Sequence, residues 1–234
     1  MPALSLVIPC YNEARGLPLL VDRCDAVFGG RGDVEVLLVD NGSTDPTPAM
    51  LPGLLADKPW LRTVRVEVNQ GYGFGVLTGL RAARGRVIGW THADGQTDPA
   101  DALVGLEKFD GPDADRTFVK GARYGRPLVD KVFTWGMAAF ETALLATPLW
   151  DINAQPTLMP RAFFDTWEDP PGDFSLDLYA YWKARRDGLV IERFPVHFGP
   201  RAFGDSSWNT GLAARARFIR RTVEFSVGLA RGRR

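Results

Sequence analysis

The first hundred residues alternate between two hydrophobic patterns, and this alternation constrains the fold more than any other feature of the chain. Four short runs rich in β-branched residues have the length and composition of strands. They are LSLVIP (4–9), VEVLLVD (34–40), LRTVRVEV (61–68) and RVIGWTHAD (86–94). Segments 12–28, 47–58 and 76–85 lie between them and show helical spacing. Strands that alternate with helices predict an α/β fold with a mostly parallel central sheet covered on both faces.

The second half of the chain is less regular, but it contains no repeat, low-complexity tract or linker. Its predicted elements are a strand with a basic loop (117–127), an apolar helix (130–147), an extended segment with a turn at Gln155-Pro156 (150–167), an amphipathic helix (175–188), a strand (189–198), a loop (199–211) and a basic helix (212–234). We therefore expect a single domain.

A cluster of polar residues follows each of the first four predicted strands. The clusters are PCYNE, DNGSTD, NQGYG and HADGQ, in chain order. Ligands of parallel α/β sheets bind beyond the carboxyl ends of the strands. The four clusters therefore predict one binding site along one edge of the sheet.

Composition excludes several classes of protein. The 28 basic and 28 acidic residues balance, so overall charge indicates no nucleic-acid partner. The two cysteines, Cys10 and Cys24, fall in predicted buried elements, which favours a reduced cytoplasmic protein over a disulfide scaffold. We expect neither a signal peptide nor a membrane-spanning helix, because no apolar run approaches about 20 residues. GYGFG follows the third strand rather than the first, which argues against a dinucleotide motif.

The motifs LSLVIPCYNE, VLLVDNGSTD, NQGYGFGVLTGLRAARG and HADGQTDP resemble, in this order, the family-2 glycosyltransferases of GT-A fold. VKGARY, WDINAQPTL, SLDLYAYWKARRDGLVIERFPVHF and PRAFGDSSW extend the resemblance to the subgroup of dolichol-phosphate mannose and polyprenyl-phosphate glucose synthases. The resemblance implies a GT-A domain over residues 1–211, with a nucleotide-binding half (1–100) and an acceptor half (101–211). It also implies a GDP- or UDP-hexose donor, inversion at the transferred sugar, and a divalent cation, Mg²⁺ or Mn²⁺.

The resemblance places the metal at HADGQ, where the family has two acids and often a glutamine. Asp94 matches the more important acid, and His92 stands in place of the other. In extended backbone, residues i, i+2 and i+4 point to one side, so His92, Asp94 and Gln96 are expected to converge. An imidazole in place of a carboxylate favours Mn²⁺ over Mg²⁺. The alternatives are that His92 bonds to the diphosphate directly or has no role, and that Asp94 is a turn residue.

For the nucleotide, the resemblance implies contacts from Pro9, Tyr11, Glu13, Asp40, Asn69 and Gly71. Tyr11 offers a ring for stacking on the base, and the carboxylates of Glu13 and Asp40 can accept hydrogen bonds from the base or ribose. Asn69 and Gly71 would close the pocket, while Asp45 is expected to brace the turn after the second strand.

Arginines should meet the departing diphosphate, since their planar donors suit phosphate oxygens. By match to the family the best candidates are Arg123 and Arg201. Lys120, Arg126 and Lys131 are further candidates that could equally be solvated loop charges, and Ser206 and Ser207 could add hydroxyl donors.

The acceptor is a lipid phosphate, which needs no general base, or a saccharide hydroxyl, which needs one. Asp151 is expected to orient the substrate or metal. Asp177 resembles a family aspartate and is equally well explained as structural. A catalytically silent nucleotide-sugar binding module is the third hypothesis, because the first acid of the metal motif is missing.

The segment from Leu212 to Arg234 contains seven arginines and one acid, Glu224. A basic amphipathic helix of this kind can lie on an anionic membrane surface. We therefore expect a cytoplasmic protein that is peripheral to the membrane through this helix. The alternative is a terminal helix packed on the domain with its arginines solvated.

Overall fold

The computed structural model describes residues 1–201 and 212–232, and within them it contains one seven-stranded sheet. The strands are β1 (Leu4–Cys10), β2 (Val34–Asn41), β3 (Leu61–Val66), β4 (Val87–Trp90), β5 (Thr117–Tyr124), β6 (Thr157–Pro160) and β7 (Val190–His197). Their order across the sheet is β3-β2-β1-β4-β6-β5-β7. β6 is antiparallel to β4 and β5, and the other pairings are parallel. The expected mostly parallel sheet is confirmed.

Helices cover both faces of this sheet. They are α1 (Leu17–Phe28), α2 (Thr47–Leu55), α3 (Tyr72–Ala82), α4 (Asp101–Leu106), α5 (Leu128–Leu145), α6 (Arg161–Phe164), α7 (Leu176–Arg186) and α8 (Leu212–Ala230). One apolar core lies between the sheet and α1, α2 and α4, and the other packs α3, α7 and α8 against the opposite face. The α/β layers predicted from the alternating pattern are therefore present.

Two predicted boundaries near the carboxyl edge of the sheet were wrong. A strand was expected as far as Asp94. β4 instead ends at Trp90, and the segment from Thr91 to Asp94 is not part of it. α3 begins at Tyr72 instead of residue 76, so the last two residues of the NQGYG cluster belong to the first turn of a helix. This turn packs closely on the segment before α7, because a Cβ on Gly73 would lie 2.5 Å from the Asp173 carbonyl oxygen.

The final helix packs on the protein, which was the alternative to the expected membrane-bound helix. Among the described side chains of α8, the buried ones recur at helical spacing: Thr222, Phe225, Ser226 and Leu229. This face contacts α5. No helix in the described part of the chain combines the length and apolar character needed to cross a bilayer.

α3 lies close against the sheet at Gly79. A Cβ built there would lie 2.3 Å from Cγ1 of Val7 and 2.8 Å from Cγ2 of Val39. Both valines lie in the core, where neighbouring side chains have no space to move. α3 can therefore lie on β1 and β2 only because residue 79 has no side chain.

We expect Gly79→Ala to lower the free energy of unfolding by about 1–3 kcal/mol, because the new methyl group overpacks this contact. Gly53→Ala is the matched control, since Gly53 lies in α2 with nothing within 4 Å of the new Cβ. The control should gain up to about 1 kcal/mol from helix propensity. Urea unfolding measures both changes, and equal midpoints for the two variants would contradict the close packing of α3.

Candidate functional site

The loops after β1 and β2 form one hydrogen-bonded unit at the carboxyl edge of the sheet. The Asn12 amide donates to Ser43 Oγ at 3.0 Å, and Asn12 Oδ1 accepts from the Thr44 amide at 2.8 Å. The Ala14 amide donates to Asp45 Oδ2 at 3.1 Å. Asp45 therefore braces the turn, as expected, and the two polar clusters hold each other in place.

The predicted nucleotide ligands lie on or beside this unit. Tyr11 is 45% exposed, so its ring remains accessible to a planar base. Pro9 is the penultimate residue of β1. Gly71 has φ +116°, and its carbonyl oxygen accepts from Asn41 Nδ2 at 2.9 Å, while its amide donates to Asn69 Oδ1. The β3–α3 turn is thus fastened to the end of β2.

Asp40 has partners that the sequence did not predict. Its buried carboxylate accepts from the Ser43 amide at 2.9 Å and forms an ion pair with Arg65 Nη1 at 2.8 Å. Arg65 comes from the neighbouring strand β3, in direct register with Asp40. A nucleoside contact through Asp40 therefore competes with a partly exposed guanidinium.

The segment that follows β4 turns away from the extended course that was expected. Gly95 has φ +72°, a conformation that favours glycine, and Asp94 Oδ1 accepts from the Gln96 amide at 3.1 Å. The side chain of Gln96 donates through Nε2 to the Gly199 carbonyl at 2.9 Å. The His92 ring instead lies 6.0 Å, between centroids, from the ring of Tyr72. The extended backbone from which their convergence was predicted is therefore not present.

Asp94 is paired with the arginine that the sequence placed at the diphosphate. Arg201 Nη2 lies 3.0 Å from Asp94 Oδ2, across 107 residues of sequence. Glu13 belongs to the same group of charges. Burial raises the pKa of its carboxyl, the charge of Arg201 opposes this rise, and the charge of Asp94 adds to it. The ends of β1 and β4 thus share one electrostatic environment.

The donor set around Asp94 fits a divalent cation only in part. In residues 1–201 and 212–232, no three His, Cys, Asp or Glu side chains are grouped so as to hold a metal ion. Proteins that bind Mg²⁺ or Mn²⁺ beside a nucleotide often supply one or two carboxylates and leave the remaining positions to phosphate oxygens and water. Asp94, with His92 two residues before it, suits such a shared site.

A second cluster of charges surrounds Asp151, which precedes β6. Asp151 accepts from the Arg123 amide and Arg123 Nε, each at 2.9 Å. Arg126 Nη1 and Arg193 Nη2 lie 3.7 Å and 4.0 Å from its carboxylate oxygens. Burial alone would raise the pKa of Asp151, but the hydrogen bonds and charge of Arg123 hold it below its usual value. We call Arg123, Arg126 and Arg193 the arginine cluster.

Sequence reasoning did not single out Arg193. A charged residue within the apolar run VIERFPVH of β7 was the available signal, since such residues are buried only with a partner. Arg193 Nη1 also donates to the Trp150 carbonyl. Arg123 is bonded to Asp151, on the acceptor side of the site, while Lys131 lies on α5 and is partly exposed. Ser206 and Ser207 fall outside the described residues.

A third polar group is buried beneath the site, around Asp177 at the start of α7. Asp177 Oδ1 accepts from Gln155 Nε2 at 2.7 Å and lies 3.6 Å from Lys120 Nζ. Lys120 is fully buried and donates to Thr157 Oγ1 at 2.8 Å. Burial lowers the pKa of Lys120 to about 8, against the opposing effect of Asp177. Lys120 is therefore a buried neighbour of Asp177 and not the solvated loop charge that was one of its alternatives.

Tyr72 connects this buried group to the metal segment. Burial raises the pKa of its hydroxyl, and the nearby charges of Asp177 and Asp94 add to the effect. Within the described residues, the Tyr72 hydroxyl and the Trp90 indole nitrogen are buried and lie close to each other, and neither forms a hydrogen bond of good geometry. Buried polar groups of this kind are costly unless they bond well to something. They mark the floor of the site as a place where a polar ligand would improve on these contacts.

Comparison with known proteins assigns the chain to a family. Residues 5–166 match the family model described as glycosyl transferase family 2. The undecaprenyl-phosphate mannosyltransferase of Micrococcus luteus is 26% identical over 231 residues, which cover 90% of this chain and 89% of that protein. The undecaprenyl-phosphate 4-deoxy-4-formamido-L-arabinose transferase of Enterobacter is 38% identical over 101 residues, which span 42% of this chain but only 31% of that protein.

Solved structures confirm the GT-A fold. Glucosyl-3-phosphoglycerate synthase from Mycobacterium tuberculosis, in complex with Mn²⁺, UDP and glucosyl-3-phosphoglycerate, has a TM-score of 0.71 at 19% identity, over 97% of this chain and 80% of that one. A mannosyltransferase from Pyrobaculum calidifontis, in complex with GDP-mannose and Mn²⁺, has a TM-score of 0.68 at 20% identity, over 97% of this chain and 70% of that one.

The burial of Lys120 predicts how the free energy of unfolding changes with pH. The pKa of Lys120 is about 8 in the folded protein, and a lysine in the unfolded chain titrates near 10.4. Between these values the unfolded state holds a proton that the folded state has released, so the free energy of unfolding rises with pH, by roughly 1–3 kcal/mol. Lys120→Met should lack this rise. Urea unfolding from about pH 8 to about pH 10 measures it as the difference between wild type and variant.

Lys108→Met serves as the control, because Lys108 is exposed in the short 3-10 turn after α4 and its loss should leave the profile unchanged. A wild-type profile parallel to that of Lys120→Met would show that Lys120 titrates normally, and hence that it is not buried beside Asp177.

Proposed function

The chain belongs to glycosyl transferase family 2, and from this premise we propose that it transfers a hexose, with inversion, from a nucleoside diphosphate donor to a polyprenyl phosphate. The donor is GDP- or UDP-linked, in keeping with the nucleotides held by the two structural neighbours. The acceptor is of the kind named for the Micrococcus relative. We place the reaction in the cytoplasm, at the membrane surface, and the two free, buried cysteines suit a reducing compartment.

The observation that carries this proposal is the charge balance of the acceptor half. Asp151 lies among the three arginines of the arginine cluster, and Asp177 is bonded by Gln155 and faces Lys120. The oxygens of both carboxylates are thus occupied by cations or amide donors, and neither is placed to take a proton from a hydroxyl acceptor. A hydroxyl acceptor needs a base, whereas an ionised phosphate acceptor does not. The arginine cluster carries an excess of positive charge that suits such a phosphate.

We assign the donor to the edge formed by the first four strands. Tyr11 would stack on the base, and Glu13 with Asp40 would accept hydrogen bonds from the nucleoside. Asn69 and Gly71 lie in the turn fastened to β2, where they would border the ribose. The pyrophosphate would then lie beside Asp94 and Arg201, whose guanidinium can move from the carboxylate to a phosphate oxygen.

The reaction is a single displacement at the anomeric carbon. An oxygen of the acceptor phosphate forms the new bond to this carbon as the bond to the nucleoside diphosphate breaks, which inverts the configuration. Asp94 and His92 would hold the divalent cation, which offsets the charge that develops on the leaving diphosphate. Arg201 adds donors to the same phosphates. Arg123 and Arg126 orient the attacking phosphate, and Asp177 with the buried Tyr72 hydroxyl and Trp90 indole nitrogen would bond to the sugar hydroxyls.

The acceptor assignment predicts a specific effect of Arg126→Gln. The acceptor KM should rise about tenfold or more, with a smaller change in kcat, because one charge-assisted contact to the acceptor phosphate is lost. The assay measures transfer from labelled GDP- or UDP-hexose to detergent-solubilised polyprenyl phosphate. Arg31→Gln is the control, since Arg31 pairs with Asp33 before β2, at the opposite edge of the sheet.

Transfer to saccharide hydroxyls but not to polyprenyl phosphate would refute this acceptor. In that case Asp177→Asn or Asp151→Asn should abolish turnover and leave donor binding intact, which identifies a general base. Donor binding with neither transfer nor hydrolysis would indicate the catalytically silent module.

The metal assignment predicts that His92→Asp changes metal preference. A second carboxylate favours Mg²⁺, so the Mg²⁺-dependent stabilisation of the nucleotide complex should increase relative to that with Mn²⁺. Thermal shift with UDP and GDP, with each ion, measures this without turnover. Asp94→Asn should lose most of the metal-dependent shift with both ions. An unchanged Mg²⁺ to Mn²⁺ ratio in His92→Asp would exclude His92 as a ligand.

A further inference from the structure

The outward face of α5 is apolar along most of its length. Leu128 and Val129 are 69% and 80% exposed, and Val132 and Trp135 are 56% and 52% exposed. Phe133 and Phe140 are exposed as well. On a helix of 3.6 residues per turn these positions form two adjacent rows: Leu128, Val132, Trp135 and Ala139, and Val129, Phe133, Gly136 and Phe140. We call this surface the α5 face.

The inward side of the same helix is more polar than its outward side. Glu141 is fully buried there, and Thr134 is bonded to the Asp130 carbonyl and to Arg126. Helices on the surface of a protein in water normally have the opposite arrangement, with the apolar side inward. Contiguous exposed apolar surface of this kind marks a site of interaction. The α5 face is therefore covered when the protein functions.

Charge distinguishes between the possible occupants. α8 packs on α5 and presents Arg220, which pairs with Glu224, and Arg221 at exposed positions, and Arg231 is exposed directly after the helix. A second copy of this chain, joined by a two-fold axis, would bring this basic surface against itself. The surface of an anionic lipid bilayer complements it. Two exposed aromatic residues, Trp135 on the α5 face and Tyr124 at the end of β5, are of the types enriched where proteins contact lipid headgroups.

The inward side of α5 contacts the arginine cluster. Arg126 precedes α5, donates to Thr134 Oγ1 at 3.0 Å and to the Asp130 carbonyl at 3.3 Å, and lies 3.7 Å from Asp151. The first two turns of α5 are thus joined to the residues assigned to the acceptor phosphate. A bilayer that covers the α5 face would therefore lie across this helix from the arginine cluster.

We propose that the α5 face inserts into the surface of an anionic lipid bilayer, with the arginines of α8 bound to the headgroups. α8 alone does not supply this contact, because Phe225 and Leu229 are buried against the protein. The apolar contribution comes from α5, and α8 contributes charge. This surface would bring the enzyme to the polyprenyl acceptor of the proposed function, but the binding of the α5 face itself requires only a bilayer.

Co-sedimentation with vesicles tests the proposal. The full chain should bind vesicles of phosphatidylcholine with phosphatidylglycerol, and bind pure phosphatidylcholine vesicles less. Val132→Asp inserts a charge into the lipid contact, and Trp135→Ser removes an apolar contact. Each should lower the partitioning of the protein onto vesicles about tenfold or more. Val104→Asp is the matched control, since Val104 is an exposed valine on α4, on the other face of the sheet. Its partitioning should equal that of wild type.

Arg220→Gln with Arg221→Gln should reduce the preference for phosphatidylglycerol and leave the weak binding to phosphatidylcholine unchanged. Circular dichroism confirms that each variant is folded. The vesicles contain neither donor nor polyprenyl phosphate, so this result is separate from transfer. Transfer to solubilised polyprenyl phosphate without vesicle binding would overturn the α5 proposal alone, and vesicle binding without transfer would overturn the acceptor alone.

Two further outcomes would overturn the membrane assignment. One is equal partitioning of Val132→Asp and Val104→Asp. The other is a stable wild-type dimer that Val132→Asp converts to a monomer, with no vesicle binding by either, which would make a second copy the occupant of the α5 face. Size-exclusion chromatography with light scattering measures the oligomeric state.

Discussion

The acceptor half depends on one buried carboxylate, Asp151, and on the arginines that converge on it. Arg123 comes from β5, Arg126 from the loop before α5 and Arg193 from β7, so a single anion joins three parts of the fold. A buried ion cluster of this kind contributes little net stability, because desolvation offsets the attraction, but loss of one partner is costly. Its effect is to fix where these elements meet, and with them the entry to the site.

The acids assigned to the site follow the same principle. Asp40 forms an ion pair with Arg65, and Asp94 forms one with Arg201. Asp177 accepts a hydrogen bond from Gln155 and lies near Lys120. Each carboxylate is therefore matched by a donor from another part of the chain, and the guanidinium of Arg201 lies where a phosphate can share or replace its contact. A diphosphate that departs from this edge of the sheet meets positive charge that the fold has already positioned.

The sequence predicted the donor half well, because its signals are local. Alternating strand and helix patterns set the order of the elements, and polar residues after each strand marked the edge that carries the site. The acceptor half was predicted less well. The pairs Arg201–Asp94 and Arg193–Asp151 join residues far apart in sequence, and no periodicity encodes such contacts. The first turn of α3 packs on the segment at residues 171–173 through glycines, which is again a long-range contact. The helical pattern of 212–234 was correct, but its hydrophobic residues could not show which neighbour would cover them.

Because β6 is antiparallel to β4 and β5, the donor side and the acceptor side of the site are connected to the sheet in different ways. In the donor half each strand runs toward the site and a loop leaves it there. β6 runs the other way, so the chain reaches the site before the strand begins, at Asp151 and Gln155. The acceptor side is therefore built by a connection that is separate from the β-α units holding the nucleotide. Changes in the length or composition of that connection can alter the acceptor while the donor-binding residues stay intact. One scaffold can therefore diversify in what it glycosylates and keep the same site for its sugar nucleotide.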